Sequence, residues 1–378
     1  MLREKSVGVR RLIKLILLLS VPAGAVISVR HLPELKAVFK ELTDEPQAVS
    51  EKDEAPAIPR DEDKLSGKLI LSEGFGTSEE KAEEDEDGFD DPFDDISDAP
   101  GEKPYPAEEE WIPGGDIIRT TYGIFSGETY FDLENGGQVS NRTEVPDETL
   151  LAESRCLPNF TLTDTDEPQV LIYHTHTTES FEPYVREHYD AEFNYRTTDE
   201  TKNIVMVGDA VQAELEAAGI GVIHARDIHD YPSYNGSYSR SRETVLAILE
   251  QYPSIKVALD IHRDAISGEG TAYQPYIDID GREAAQIMII SGCDDGTLGM
   301  PDYMKNFHFA CSLQQQLEAD FPGITRPILF DYRQYNQDLT TGSLLIEIGS
   351  HGNTLAQAKY SGTLFGRSLA SLLNKRKG

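Results

Sequence analysis

The stretch QVLIYHTHTTE, residues 169–179, decides the fold, because a strand passes here directly into a cluster of polar side chains. Apolar and aromatic residues at 170–173 form a short run of strand character. Similar runs follow at residues 256–261 and 344–348, and helical patterns separate them. Strands alternating with helices predict parallel βαβ units, and so an α/β fold with a mainly parallel sheet and helices on both faces.

The remaining elements follow from periodicity and end signals. A helix predicted at 203–218 stops at Gly219, and the last helix begins with Asn353 or Thr354 as its N-cap. Further helices are predicted at 239–251, 303–320 and 354–374, and further strands at 220–224, 284–291 and 327–330. Residues 111–168 form a short β-rich preamble with a turn at Asn135-Gly136-Gly137, and residues 169–378 form the catalytic domain.

Histidines follow the predicted strands at the edge where an α/β sheet places its site. His174 and His176 come after the first strand, His229 after the second and His262 after the third. Imidazole is a preferred ligand of Zn²⁺, and a catalytic site uses three protein ligands with one open position. We therefore predict a zinc site with His262 and with one or both of His174 and His176. The third ligand is His229 or a carboxylate such as Glu179.

An acid in an otherwise apolar strand indicates a catalytic role for Glu347, because burying a carboxylate is costly unless it has work or a partner. Near a metal it can take a proton from water and pass it to a departing amine. Glu179 is the second candidate carboxylate, as a ligand or as a catalytic residue. The alternative for Glu347 is a structural pair with Arg263 or a helix terminus. No serine-nucleophile, phosphate-loop or HExxH motif is present.

The first 110 residues predict a membrane-tethered protein. Within residues 1–30, five basic residues at 3–14 precede an apolar run at 15–29, which indicates an anchor or an export signal cleaved near Ala23-Gly24-Ala25. Residues 31–110 form a disordered acidic linker, since 41–110 hold 26 acidic and 6 basic residues. The basic flank stays inside, so the catalytic domain lies outside the cytoplasm.

The overall charge and the cysteines exclude two classes of function. A formal net charge of −33 argues against a nucleic-acid partner, because a phosphate backbone would be repelled. The three cysteines, Cys156, Cys293 and Cys311, form neither a CxxC pair nor a disulfide framework. We predict that all three are small buried hydrophobic residues.

Four segments together resemble the stage II sporulation protein P family: VLIYHTHTTES (170–180), HDYPSYNGSY (229–238), LDIHRDA (259–265) and LIEIGSHGNT (345–354). The resemblance extends from residue 169 to the C-terminus. It implies an amidase and endopeptidase that cleaves peptidoglycan during forespore engulfment, in the mother-cell membrane, beside stage II sporulation proteins D and M. The implied fold is similar to that of zinc N-acetylmuramoyl-L-alanine amidases.

Residue by residue, the resemblance assigns His262 as the second histidine ligand and Glu347 as the catalytic glutamate. The first histidine corresponds to His174 or His176, and His176 is favoured. The amidases take a glutamate ligand at the start of their first helix, where this chain has Asp199 and Glu200. Glu179, Glu200 and His229 therefore all compete for the third position.

A non-catalytic alternative uses the same features. In it, the chain is a membrane-anchored scaffold that binds wall or partner proteins, and the metal serves only folding. Exchange of Glu347 separates the two hypotheses, because a structural metal site needs no free carboxylate.

Overall fold

The computed structural model describes residues 112–268 and 270–378. The predicted anchor, residues 1–30, and the predicted acidic linker, residues 31–110, lie outside the described residues. Within the described ranges, no helix has both the length and the apolar character needed to cross a membrane.

Thirteen strands of the described residues form two sheets. In chain order they are β1 Pro113–Thr120, β2 Tyr130–Asp132, β3 Gln138–Asn141, β4 Pro168–Tyr173, β5 His188–Asp190, β6 Gly221–His224, β7 Val257–Asp264, β8 Ser267–Gly268, β9 Thr271–Ile279, β10 Arg282–Ala285, β11 Ile287–Cys293, β12 Ile328–Tyr332 and β13 Ser343–Ser350. The main sheet has the order β2-β3-β12-β11-β13-β7-β4-β6. The smaller sheet has the order β10-β9-β1-β5, and β8 pairs with β9.

The α/β class is confirmed, but the prediction of a mainly parallel sheet is wrong, because both sheets are mixed. In the main sheet β11 runs antiparallel to β13, although β13, β7, β4 and β6 run parallel to one another. A parallel strand normally follows a crossover helix, and no described helix lies between β7 and β11, which are joined through β8, β9 and β10.

Five helices complete the described fold: α1 Asp147–Glu153, α2 Val205–Ala217, α3 Ser237–Gln251, α4 Tyr303–Asp320 and α5 Leu355–Asn374. The predicted N-cap of the last helix is confirmed. The Thr354 hydroxyl accepts a hydrogen bond from the backbone of Gln357, whose side chain caps Thr354 in return. The end signal after α2 is confirmed as well, since Gly219 has φ +74°.

Helices cover both faces of the main sheet. Along β4, Val170 and Ile172 join the apolar core that also contains buried residues of α2, α4 and α5. Leu171 and Tyr173 point the opposite way and pack with Val245 of α3. In β7 and β13 the same alternation places the polar residues on the α3 face.

Strands of the preamble belong to both sheets. β1 pairs in parallel with β9, and β3 pairs in parallel with β12. The apolar side chains of α1 reach the main core through the fully buried Leu150. Cys293 and Cys311 are buried as predicted, whereas Cys156 is exposed, so the prediction is wrong for that residue. Cys156 directly follows the short helix α1 and lies in a surface turn.

Candidate metal centre

His262 and Glu347 lie side by side on neighbouring parallel strands. Their Cα positions are register partners between β7 and β13. His262 was predicted to follow the end of its strand, but β7 continues to Asp264, and Glu347 lies inside β13, which continues to Ser350. The two side chains therefore belong to rigid sheet positions on one face.

The turn after β4 brings two more predicted residues to the same place. The backbone N–H of Glu179 donates to the carbonyl of His176 at 3.1 Å, which closes the turn. The His176 ring lies edge-on to the His262 ring, with centroids 5.2 Å apart. Oε2 of Glu179 is 3.5 Å from Nδ1 of His262. The structure thus brings together His176, Glu179, His262 and Glu347.

Further contacts orient these side chains. Oε2 of Glu179 accepts the backbone N–H of Arg263 at 3.0 Å. Nε2 of His262 lies 2.8 Å from Oδ1 of Asp260, and that carboxylate also accepts the backbone N–H and the hydroxyl of Thr175. A carboxylate behind a ligating histidine fixes its ring and raises its basicity. Both carboxylates hold His262 in place.

Three tyrosines wall the cleft in which the four residues lie. Tyr234 stacks on His176 with centroids 4.5 Å apart, and its hydroxyl is 2.9 Å from Nε2 of that histidine. Tyr238 from α3 stacks on Tyr335 at 5.0 Å. The cleft has a cavity volume of about 30 Å³ and is partly open to solvent. Aromatic walls of this kind offer flat apolar faces and hydroxyl groups to a substrate.

The charges in the cleft are strongly coupled. Burial lowers the pKa of His176 well below its ordinary value, and the nearby His262 lowers it further. Burial also opposes a charge on His262, but Asp260 and Glu179 outweigh it and raise the pKa of His262 well above its ordinary value. Burial, reinforced by Asp264, raises the pKa of Glu347 well above its ordinary value. The cluster therefore attracts positive charge.

The donor set fits a divalent metal ion of the zinc type. Among the described residues, Nδ1 of His176 and Oε2 of Glu347 are buried and have no hydrogen-bond partner. Nδ1 of His262 faces the Glu179 carboxylate and the His176 ring lies edge-on to the His262 ring, so two imidazoles and two carboxylates line one cleft. Zinc prefers imidazole nitrogen with a carboxylate oxygen in catalytic sites. A bound metal ion would bring the positive charge that the proton on His262 carries when no ion is bound.

The structure does not bring His174 and His229 to this cleft. Nδ1 of His174 contacts the carbonyl of Ile261 at 2.7 Å, and its Nε2 contacts Nε2 of His224 at 2.8 Å. Nδ1 of His229 contacts the carbonyl of His174 at 2.8 Å, and its Nε2 contacts the Thr244 hydroxyl at 3.0 Å. With both nitrogens of each ring engaged, neither histidine offers a lone pair to the site.

Glu200 was an alternative third metal ligand and Arg263 an alternative partner of Glu347, and both make other contacts. Glu200 pairs with Arg226 in an exposed ion pair, away from the cleft residues. The buried side chain of Arg263, the alternative partner of Glu347, donates to the backbone carbonyls of Ser180 and Tyr195.

Sequence reasoning missed several residues of the cleft. Asp264 lines it and pairs with the buried Arg326 at 2.7 Å. Tyr238 lies in the first turn of α3 and Tyr234 in the loop before it, so no helical periodicity links the two. Tyr335 gave no signal, since it comes from a loop with positive φ (+45°) far along the chain.

Solved structures of amidases are similar to this chain. The N-acetylmuramoyl-L-alanine amidase AmiC2 of Nostoc punctiforme is 14% identical, with a TM-score of 0.31, over 55% of this chain and 96% of that one. The CwlD amidase of Clostridioides difficile, solved in complex with the GerS lipoprotein, is 11% identical, with a TM-score of 0.35, over 55% of this chain and 99% of that one.

Sequence relatives give the family. Stage II sporulation protein P of Bacillus subtilis (strain 168) is 29% identical over 203 residues, which are 51% of this chain and 48% of the relative. The chain therefore spans about half the length of the curated relative it matches. The family model for stage II sporulation protein P matches residues 49–370, most of the sequence. The chain belongs to the stage II sporulation protein P family.

Proposed function

We propose that this chain is a zinc-dependent hydrolase that cleaves amide bonds of peptidoglycan during sporulation. One observation carries the proposal: His176, Glu179 and His262 line one cleft with the buried carboxyl group of Glu347. The membership of the family supports the setting in sporulation. The preferred amides are the N-acetylmuramoyl-L-alanine bond and the peptide crosslink.

His176, Glu179 and His262 would hold the metal ion. When bound, zinc polarises a substrate carbonyl and lowers the pKa of a coordinated water. Asp260 keeps the His262 ring oriented, and the Tyr234 hydroxyl does the same for His176. The low pKa of His176 leaves its ring neutral near pH 7, as a ligand must be.

Glu347 acts as the general acid and base. Its position on β13 places the carboxyl group next to His262, and burial with Asp264 raises its pKa, which makes the Glu347 carboxylate a stronger base. It would accept a proton from the attacking water and deliver the same proton to the departing amine nitrogen. Deep placement in the sheet keeps this group from swinging away between the two transfers.

The tyrosine wall positions the substrate. Tyr238 and Tyr335 present stacked rings beside His262 and Glu347, and rings of this kind pack against sugar faces and peptide side chains. Arg263 and Arg326 are engaged with carbonyls and with Asp264, so they shape the cleft more than they bind an anionic substrate.

We further propose that the chain is a single-pass protein of the mother-cell membrane, with its described residues outside the cytoplasm. The basic and apolar composition of residues 1–30 supports this placement. Stage II sporulation proteins D and M are the partners that the family resemblance implies.

The test is Glu347→Gln, with Glu250→Gln as a matched control at the exposed end of α3. Mass spectrometry of muropeptides released from purified sacculi reads the bond that is cut, and metal analysis reads the zinc content. Glu347→Gln should keep its zinc and lose on the order of 10²–10⁴-fold in rate, the range for a lost general acid or base. The control should match the unaltered protein in both measurements.

The scaffold alternative predicts a different outcome. A chain that only binds the wall would release no muropeptides with zinc present, and Glu347→Gln would change nothing. Release at full rate after complete chelation would contradict metal-dependent hydrolysis.

A further inference from the structure

A second group of metal-ligating side chains lies on the opposite face of the main sheet. Glu153 ends α1, Cys156 follows in the next turn, and His308 projects from α4. Their ligand atoms all lie within 4.8 Å of one another. α4 packs into the core on the face that α3 does not cover, so this group is separate from the cleft.

The three donor atoms converge on one point. Nε2 of His308 is 2.6 Å from Oε2 of Glu153, and Sγ of Cys156 is 3.8 Å from the same oxygen. The backbone fixes the approach of the thiol, because the N–H of Cys156 donates to the carbonyl of Glu153 at 2.9 Å. The His308 side chain is 13% exposed, while Cys156 is open to solvent, so an ion has a path of entry.

The chemistry of the donors selects the metal. A thiolate, an imidazole and a carboxylate suit Zn²⁺ and the neighbouring transition metals, whereas Ca²⁺ and Mg²⁺ prefer oxygen ligands alone. The C-terminal end of α1 adds a partial negative charge where the cation would lie. Without an ion, the Glu153 carboxylate holds both other groups, through its contact with His308 and a weak hydrogen bond from the Cys156 thiol, and a metal ion would replace both contacts.

We propose that Glu153, Cys156 and His308 bind one zinc-class ion, with water in the fourth position. Binding replaces the thiol proton, which passes to solvent, and the hydrogen bond between His308 and Glu153. The site is structural: it ties α1 of the preamble to α4 of the main core. It involves no residue of the cleft and does not depend on the proposed hydrolysis.

Cobalt titration of the full-length, metal-free, reduced protein tests this site. Co²⁺ bound by a thiolate gives a near-ultraviolet sulfur-to-metal charge-transfer band, and the cleft has no sulfur ligand among its lining residues. The band should appear in the unaltered protein, disappear in Cys156→Ser and persist in Cys311→Ala, whose thiol is buried in the core. The zinc content of Cys156→Ser should fall by one ion per chain.

Two further variants separate this site from the cleft. His308→Gln should weaken cobalt binding, read from the band, by roughly tenfold or more, since even outer-shell partners of a metal are worth that much. His262→Ala should leave the band unchanged. Absence of the band at saturating Co²⁺, or its persistence in Cys156→Ser, would overturn the proposal, whatever the outcome for hydrolysis.

Discussion

His262 owes its orientation to a carboxylate on each side. Asp260 lies two residues before it in β7 and contacts Nε2, while Glu179 faces Nδ1 from the turn after β4. Asp260 is fully buried and also holds Thr175. Asp260 therefore holds both the His262 ring and the loop that carries His176.

At the residue scale, we predict that Asp260→Asn weakens zinc binding at the cleft. The amide cannot stabilise the ligating imidazole as a carboxylate does, and loss of such a partner costs roughly 10–100-fold in metal affinity. Competition with a chelator of known affinity measures the change. Asp209→Asn is the control, because Asp209 contacts His224, which lies outside the cleft. Equal affinity of Asp260→Asn and the unaltered protein would contradict the assigned role.

Residue types at strand ends were enough to predict His176, Glu179, His262 and Glu347 as a group. The sequence did not discriminate His176 from His174, because two positions of an extended segment share a face. The actual turn closes between His176 and Glu179, so the chain has left the strand direction there. His174 instead binds a neighbouring imidazole, His224, which no local pattern associates with it.

At the element scale, β13 changes its register with β7 between Glu347 and Ser350. Gly349 lies inside this irregularity with φ +72°. A Cβ there would come within 2.7 Å of the side-chain oxygen of Asn353 and 2.8 Å of the Cβ of Ala285. Only glycine adopts this φ without strain and leaves room for these two neighbouring side chains. Gly349 therefore fixes the backbone at the end of β13, just after Glu347.

We predict that Gly349→Ala destabilises the protein more than Gly219→Ala. Both residues have positive φ, which costs an L-residue about 1–2 kcal/mol. Gly219 has no neighbour within 4 Å of an added Cβ, so it shows the backbone cost alone. Gly349→Ala should cost roughly 1–3 kcal/mol more, through overpacking. Urea unfolding of both variants measures the difference, and equal losses would show that the crowding is relieved at no cost.

Helices were more predictable than strands. α4 spans the predicted residues 303–320, and α5 begins after its predicted cap, because periodicity and caps are local signals. β5 and β8 have three and two residues, too few for an alternating pattern to show. β9 was missed because Pro275 interrupts its pattern, and a proline argues against a strand with partners on both sides.

At the scale of the whole molecule, the strand order could not be predicted from the sequence, because local patterns do not indicate which strands are neighbours. The predicted boundary between residues 168 and 169 stays a prediction, and the structure gives a way to test it. The preamble contributes six buried apolar side chains: Ile117, Leu133, Val139, Leu150, Phe160 and Leu162. It also covers one edge of β12 and one of β9.

We predict that residues 169–378 alone do not fold cooperatively, whereas residues 112–378 do. Each buried apolar side chain contributes roughly 1.5–3 kcal/mol, so six of them match the roughly 5–15 kcal/mol that holds a typical domain together. Thermal unfolding followed by near-ultraviolet circular dichroism compares the two chains. A sharp transition of the shorter chain at the same midpoint would place the preamble outside the folding unit.

The pairing of β3 with β12 also determines when the main sheet can be completed during protein synthesis. Val139 and Ile328 are register partners, although a large part of the chain separates them. Ribosomes add roughly 5–20 residues per second, so β3 waits on the order of ten seconds or longer for its neighbour. Until then the nascent polypeptide carries an unpaired hairpin and an incomplete hydrophobic layer. Newly made molecules are therefore most vulnerable to proteases and to self-association before residue 332 has emerged.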